Sequence, residues 1–228
     1  MIKNFNNLKE SGIRYGGHAG NKLGVVIDGE NWFLKFPKST KDLLRKVDIS
    51  YNTSPLSEYI GSHIYKSLGI PVHETMLGIK DEKLVVACKD FRKNQIDYRL
   101  DDYNSIKNDY VEGLEKKLES TSSSNPHAIN IDETIIIMNN NPLFNRVAGL
   151  KDRFWDMFIV DALIGNNDRN NGNWGVIVDN RTNETKIAPV FDNGASFNTK
   201  SSDENIEKIL SDKERFKNSA YLSRICAF

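Results

Sequence analysis

Only two cysteines occur in the 228 residues, Cys88 and Cys226. That is too few for a disulfide scaffold or a cysteine-built zinc cluster. Cys88 follows the apolar run Leu84-Val85-Val86-Ala87 and reads as a small buried hydrophobe. Long apolar runs are also missing, since none approaches the roughly 18 residues of a membrane helix. The start, Met1-Ile2-Lys3-Asn4-Phe5, has no apolar stretch of the signal-peptide kind, so the cytoplasm is the expected compartment and no membrane partner is expected. Excess charge of either sign is absent too: 31 lysines and arginines face 31 aspartates and glutamates. A direct nucleic-acid binder draws its affinity from a basic face, and composition offers none. His73 and His127 lack partners at metal-ligand spacing, which speaks against zinc.

The chain does have an ordinary globular composition, 39% hydrophobic and 27% charged, and a length that fits one two-lobed domain or two small ones. Its first ninety residues read as strands around one helix. Leu23, Val25 and Ile27 alternate, Asp28-Gly29 supplies a tight turn, and Trp32, Leu34 and Phe36 alternate back, which predicts a β-hairpin. Ser57 to Leu68 has helical spacing and is stopped by Gly69 and Pro71. Val72–Gly78 and Leu84–Ala87 read as two more strands. A polar middle follows, from Gln95 to about Asn145, with a serine-rich stretch at 120–126 that reads as a surface loop. From Phe154 to Ile164 the pattern is apolar nearly all round, predicting a buried helix closed by Gly165. Trp32, Trp155 and Trp174 read as core. A second hairpin is predicted from Trp174 to Phe191, and two weak helical patterns end the chain.

The most informative stretch is Gly165-Asn166-Asn167-Asp168-Arg169-Asn170-Asn171-Gly172-Asn173. It sets a carboxylate and a carboxamide five residues apart in a loop that its glycines and asparagines let turn sharply. Phosphoryl transfer uses such a pair, the carboxylate to orient a hydroxyl and take its proton, the amide oxygen to help hold magnesium. If residues 174–191 form a hairpin, its two ends lie side by side. Asp192 in Phe191-Asp192-Asn193-Gly194 then sits beside Asn173, an oxygen pair suited to a hard cation. Arg169 reads equally as a phosphate contact or as the partner of a surface acid, and Asn170 as a turn residue.

Asp168 with Asn173, followed by Phe191-Asp192-Asn193-Gly194, resembles the catalytic loop and magnesium-binding motif of protein kinases. The wording is similar to the HipA-like serine/threonine kinases. The blocks Phe154-Trp155-Asp156-Met157-Phe158, Gly172-Asn173-Trp174-Gly175 and Val86-Ala87-Cys88-Lys89-Asp90-Phe91 resemble the cell-translocating kinase A type in particular. The resemblance implies an α+β, two-lobed kinase-like fold. Residues 1–90 would form an N-lobe of antiparallel sheet plus one helix. Residues 91–228 would form a mostly helical C-lobe with a catalytic β-hairpin.

It also implies ATP- and magnesium-dependent transfer to a protein serine or threonine hydroxyl. Asp168 would be the base, and Asn173 and Asp192 the metal ligands. Lys35 would anchor phosphate and Glu58 would pair with it. Val86 and Cys88 would belong to the adenine-binding hinge, and Gly16, Gly17, His18, Ala19 and Gly20 to the loop over the phosphates. Toxin members of the family phosphorylate aminoacyl-tRNA synthetases and pair with an antitoxin, so those partners are implied with the same standing. Two departures stand out. The phosphate loop lacks the serine that such loops phosphorylate, so that mode of regulation is not expected. Only residues 193–228 follow the magnesium aspartate, so the C-lobe is expected to be shortened. The alternatives are a small-molecule or lipid kinase on the same scaffold and a nucleotide-binding domain inactive through that shortening.

Overall fold

The computed structural model describes residues 2–16, 22–41, 49–111 and 129–222. A six-stranded sheet is built from β1 (Lys3–Asn4), β2 (Lys9–Glu10), β3 (Lys22–Ile27), β4 (Glu30–Lys35), β5 (Thr75–Lys80) and β6 (Lys83–Lys89). Its order is β1-β5-β6-β4-β3-β2, antiparallel except for the parallel edge pair β1–β5. The β3–β4 turn is the expected one: Asp28 and Gly29 both take positive φ, 53° and 80°. That is the backbone of the two-residue turn whose twist matches the strands it joins. Val25, Trp32, Leu34, Val85 and Ala87 bury one face of this sheet, closed over by Phe5.

Helix α1 (Ser54–Ser67) packs on β5 and β6. Pro55 opens it, where a missing N–H costs nothing, and Gly69 at φ 74° ends it. A three-stranded antiparallel sheet follows, β7-β8-β9, from β7 (Tyr98–Asp102), β8 (Gly175–Asp179) and β9 (Thr185–Ile187). The predicted second hairpin is therefore present. β7 adds a strand that the polar composition of 95–145 did not suggest. Around this sheet lie α2 (Tyr103–Val111), α3 (Ile131–Asn140), α4 (Pro142–Arg146) and α5 (Leu150–Ile164). Their shared core includes Tyr103, Ile137, Phe144, Phe154, Met157 and Trp174, and it draws in Tyr65 from α1. Two further helices, α6 (Asp203–Ser211) and α7 (Lys213–Leu222), match the two patterns read in the tail.

Helix α5 departs from its sequence reading. Phe154, Met157, Val160 and Ile164 are buried, but Trp155, Ile159 and Leu163 are 38%, 66% and 74% exposed. These three lie four residues apart, on one outward stripe. Trp155 is thus not core, whereas Trp32 and Trp174 are. An apolar sequence does not say on how many sides neighbours stand. Among the described residues no helix is long and apolar enough to cross a membrane.

Candidate active site

Lys35 ends β4, paired with Lys22 on one side and Val86 on the other. Strand alternation sends Leu34 into the core and Lys35 to the opposite face. There Lys35 Nζ donates to Glu58 Oε2 at 2.6 Å and to Asp192 Oδ1 at 2.7 Å. Glu58 stands on α1 and is fully buried. Its second oxygen, Oε1, accepts from His73 Nε2 at 2.8 Å and from the Asn193 backbone N–H at 3.0 Å. Burial alone would raise the Glu58 pKa, but the Lys35 charge and the His73 hydrogen bond hold it well below the usual carboxylate range. Asp192 behaves alike: burial pushes its pKa up and Lys35 brings it down further.

The loop at 165–173 hangs on Arg169. Gly165, at φ 63°, turns the chain out of α5, and the loop returns Arg169 into the interior, where it is 0% exposed. Its Nε donates to Asp161 Oδ2 at 2.7 Å and its Nη2 to Asn193 Oδ1 at 2.6 Å. Nη1 donates to the backbone oxygens of Asn173, at 2.9 Å, and of Phe191. One guanidinium therefore ties the residues before β8 and after β9, as the hairpin argument required. Arg169 is neither a phosphate contact nor a surface pair; its acid is a buried one. Asn170 has the turn role read for it, accepting from Gly172 N at 2.9 Å. Asn173 Nδ2 donates to the Asp168 backbone oxygen at 2.8 Å, and Asp168 itself is exposed.

Two cavities meet at this cluster. One, of about 360 Å³, is lined by Tyr15, Phe33, Phe91 and Phe191 together with Gly16, Lys22, Lys35, Asn173 and Asp192. The other, of about 370 Å³, is lined by Asp168, Ser39, Thr40, Ser54 and Lys200. Lys35 and Asp192 belong to both.

No family model matches the chain. A curated relative, serine/threonine-protein kinase CtkA of Helicobacter pylori strain J99, is 40% identical over 197 residues, 86% of this chain. The chain spans 56% of that relative's length. The crystal structure of a Helicobacter pylori proinflammatory kinase CtkA superposes with a TM-score of 0.80 and 32% identity, covering 96% of this chain and 69% of that one. The chain belongs to the CtkA family. HipA of Shewanella oneidensis, solved with HipB and operator DNA, is 13% identical with a TM-score of 0.44, too slight a likeness to argue from.

Within this CtkA-type fold the residues singled out in the sequence have mostly converged. Lys35, Glu58, Asp192, Asn173 and Asp168 lie on one connected site, and Gly16 lines the first cavity. Gly17, His18, Ala19 and Gly20 fall outside the described residues. Val86 and Cys88 are placed differently from the expectation. Both lie inside β6, flanked by β4 and by β5, so their backbone groups serve the sheet. The residues after the strand, Asp90 to Arg92, line the cavity instead. Cys88 is buried as read. Sequence reasoning missed His73, Asp161 and Asn193. Asp161 left a usable signal, since a carboxylate inside the apolar run from Met157 to Ile164 needs a buried donor.

Proposed function

We propose that this chain transfers the γ-phosphoryl group of ATP to a serine or threonine hydroxyl on a protein. Residues 1–90 act as the N-lobe and 91–228 as the C-lobe. The observation that carries this reading is the meeting of two cavities at Lys35 and Asp192. The first offers aromatic rings, with Tyr15 and Phe33 centroids 4.6 Å apart and Phe91 and Phe191 5.5 Å apart, together with the cations Lys22 and Lys35; a purine carrying phosphates matches that combination. The second holds Asp168 among hydroxyl side chains, where an acceptor would lie. Whatever enters the two cavities meets at one lysine.

The donor set suits magnesium. Asn173 commits its amide nitrogen to the Asp168 backbone, which leaves its oxygen for a cation, and Asp192 adds a carboxylate on the same cavity. Asn173 and Asp192 would hold the ion, whose charge neutralises phosphate oxygens when bound. Lys35 steadies those oxygens, Glu58 keeps Lys35 in place, and Asp168 orients the acceptor hydroxyl and takes its proton. The name of the Helicobacter relative, a serine/threonine-protein kinase, supports the choice of acceptor.

The test is transfer of labelled γ-phosphate from ATP with magnesium to proteins of a bacterial lysate. The purified chain should label serine or threonine, and Asp168→Asn should lower the rate by about 10²-fold or more. Binding of ATP without protein labelling would favour a small-molecule acceptor or an inactive nucleotide-binding domain. Neither binding nor labelling would reject the reading.

A further inference from the structure

Glu58 is held at both oxygens by different parts of the molecule. Oε2 accepts from Lys35 at 2.6 Å. Oε1 accepts from two donors, His73 Nε2 at 2.8 Å and Asn193 N at 3.0 Å. Turning the carboxylate would break both Oε1 bonds, so Oε2 stays aimed at the lysine. His73 is 3% exposed, and the backbone sets its place: His73 N donates to Val190 O at 3.0 Å, and Val190 N to Pro71 O at 2.9 Å. The His73 backbone is thereby fastened to the same segment that leads on to Asp192. Asn193 is fastened as firmly, its Nδ2 donating to Ser62 Oγ of α1 at 3.1 Å. Helix α1 comes this close at Gly61, where a Cβ would lie 3.0 Å from that of Asn193.

We propose that His73 is a positioning residue for phosphoryl transfer, locking Glu58 so that Lys35 keeps its partner when Asp192 is engaged by a ligand. This rests on the kinase reading above. In the structure Lys35 divides its charge between Glu58 and Asp192. A cation drawn to Asp192 would leave Glu58 alone to hold the lysine, and a carboxylate free to turn would hold it poorly. A carboxylate paired with a lysine only accepts, so the imidazole donates through Nε2. Its Nδ1 is buried without a hydrogen-bond partner among the described residues, where Glu58 is the polar contact of the ring. A metal site is the competing use, since Glu58, His73 and Cys88 offer ligand atoms within 4.8 Å of one another. The short Glu58–His73 hydrogen bond already fills that space, and burial, with the nearby Glu58 charge, holds Cys88 as a thiol.

The experiment compares the wild-type chain with His73→Leu and His73→Gln, reading kcat and the KM for ATP separately. Lys35 contacts that matter most during transfer should appear in kcat. His73→Leu is expected to lower kcat about tenfold or more while KM for ATP moves by less than about threefold. His73→Gln, which keeps an N–H donor, should recover to within about threefold of wild type. A wild-type kcat in His73→Leu, or equal losses in both variants, would overturn the proposal. Ring ¹⁵N spectra of the wild-type chain give a readout that needs neither activity nor a folded leucine variant. They should show the Nε2–H form at His73, with a resonance that moves in Glu58→Gln; an Nδ1–H form would also overturn it. A wild-type chain that transfers no phosphate rejects the kinase reading, while the ring measurement still decides the Glu58–His73 contact.

Discussion

Two ionic networks meet along Phe191-Asp192-Asn193, and they differ in their access to the cleft. In the Asp161–Arg169 pair both side chains are 0% exposed. Tyr65, Asn166 and Asn193 side chains and two backbone oxygens complete it. In the Lys35–Glu58–Asp192 cluster, Lys35 and Asp192 keep 13% and 26% side-chain exposure and line both cavities. The contrast separates structure from chemistry. A closed, fully bonded pair can only hold chain segments together. An open one has charges that can exchange a protein partner for a ligand. Asn193 bridges them, taking Arg169 on its side chain and giving its backbone N–H to Glu58.

The largest effect should come from breaking the closed network. Arg169→Leu leaves Asp161 buried without its cation, which costs about 3–5 kcal/mol, and it frees the Asn173 and Phe191 carbonyls. Urea unfolding should show that loss together with loss of phosphate transfer; a variant within 1 kcal/mol of wild type, on the order expected of a surface change, would erase the distinction. The open network should behave in the opposite way. Asp192→Asn leaves the Lys35–Glu58 bond standing, so stability should change little while transfer falls on the order of 10²-fold.

Acid should also weaken the open cluster. The folded-state pKa of Glu58 lies below its ordinary 4.5 because Lys35 and His73 outweigh the effect of burial. Its contribution to stability is therefore complete above that ordinary value and is lost as pH falls through the folded one. Urea midpoints for Glu58→Gln should fall less than those of wild type between pH 5 and pH 3, a window about one unit either side of the ordinary carboxyl value; an unchanged acid slope would contradict this assignment. The smallest effect sets the scale for both networks. Leu163→Ala on the outward stripe of α5 should cost about 0.5 kcal/mol or less, against about 3–5 kcal/mol for Phe154→Ala on its inner face.

What the sequence made legible was local chemistry and order. Asp28-Gly29 announced its hairpin, Gly69 and Gly165 their helix ends, and Lys35, Glu58, Asp168, Asn173 and Asp192 appeared in the order a phosphoryl-transfer site uses. What it concealed was non-local. His73 is an isolated residue whose place depends on a backbone bond to Val190, 117 positions away. β7 is polar in sequence and was hidden because its pairing with β8 joins segments far apart along the chain. The shift of the cavity rim from Val86 and Cys88 to Asp90–Arg92 has a similar origin. β6 lies between two strands and reads as one apolar run, without the alternation that would mark where it leaves the sheet.

A crystal structure of the chain with magnesium and a non-hydrolysable ATP analogue would decide whether Lys35 and Asp192 form a nucleotide site. The metal should lie on Asn173 and Asp192, the phosphates against Lys35, with Glu58 still bonded to that lysine and the purine among Tyr15, Phe33, Phe91 and Phe191. A nucleotide bound elsewhere, or a metal held without Asp192, would contradict it.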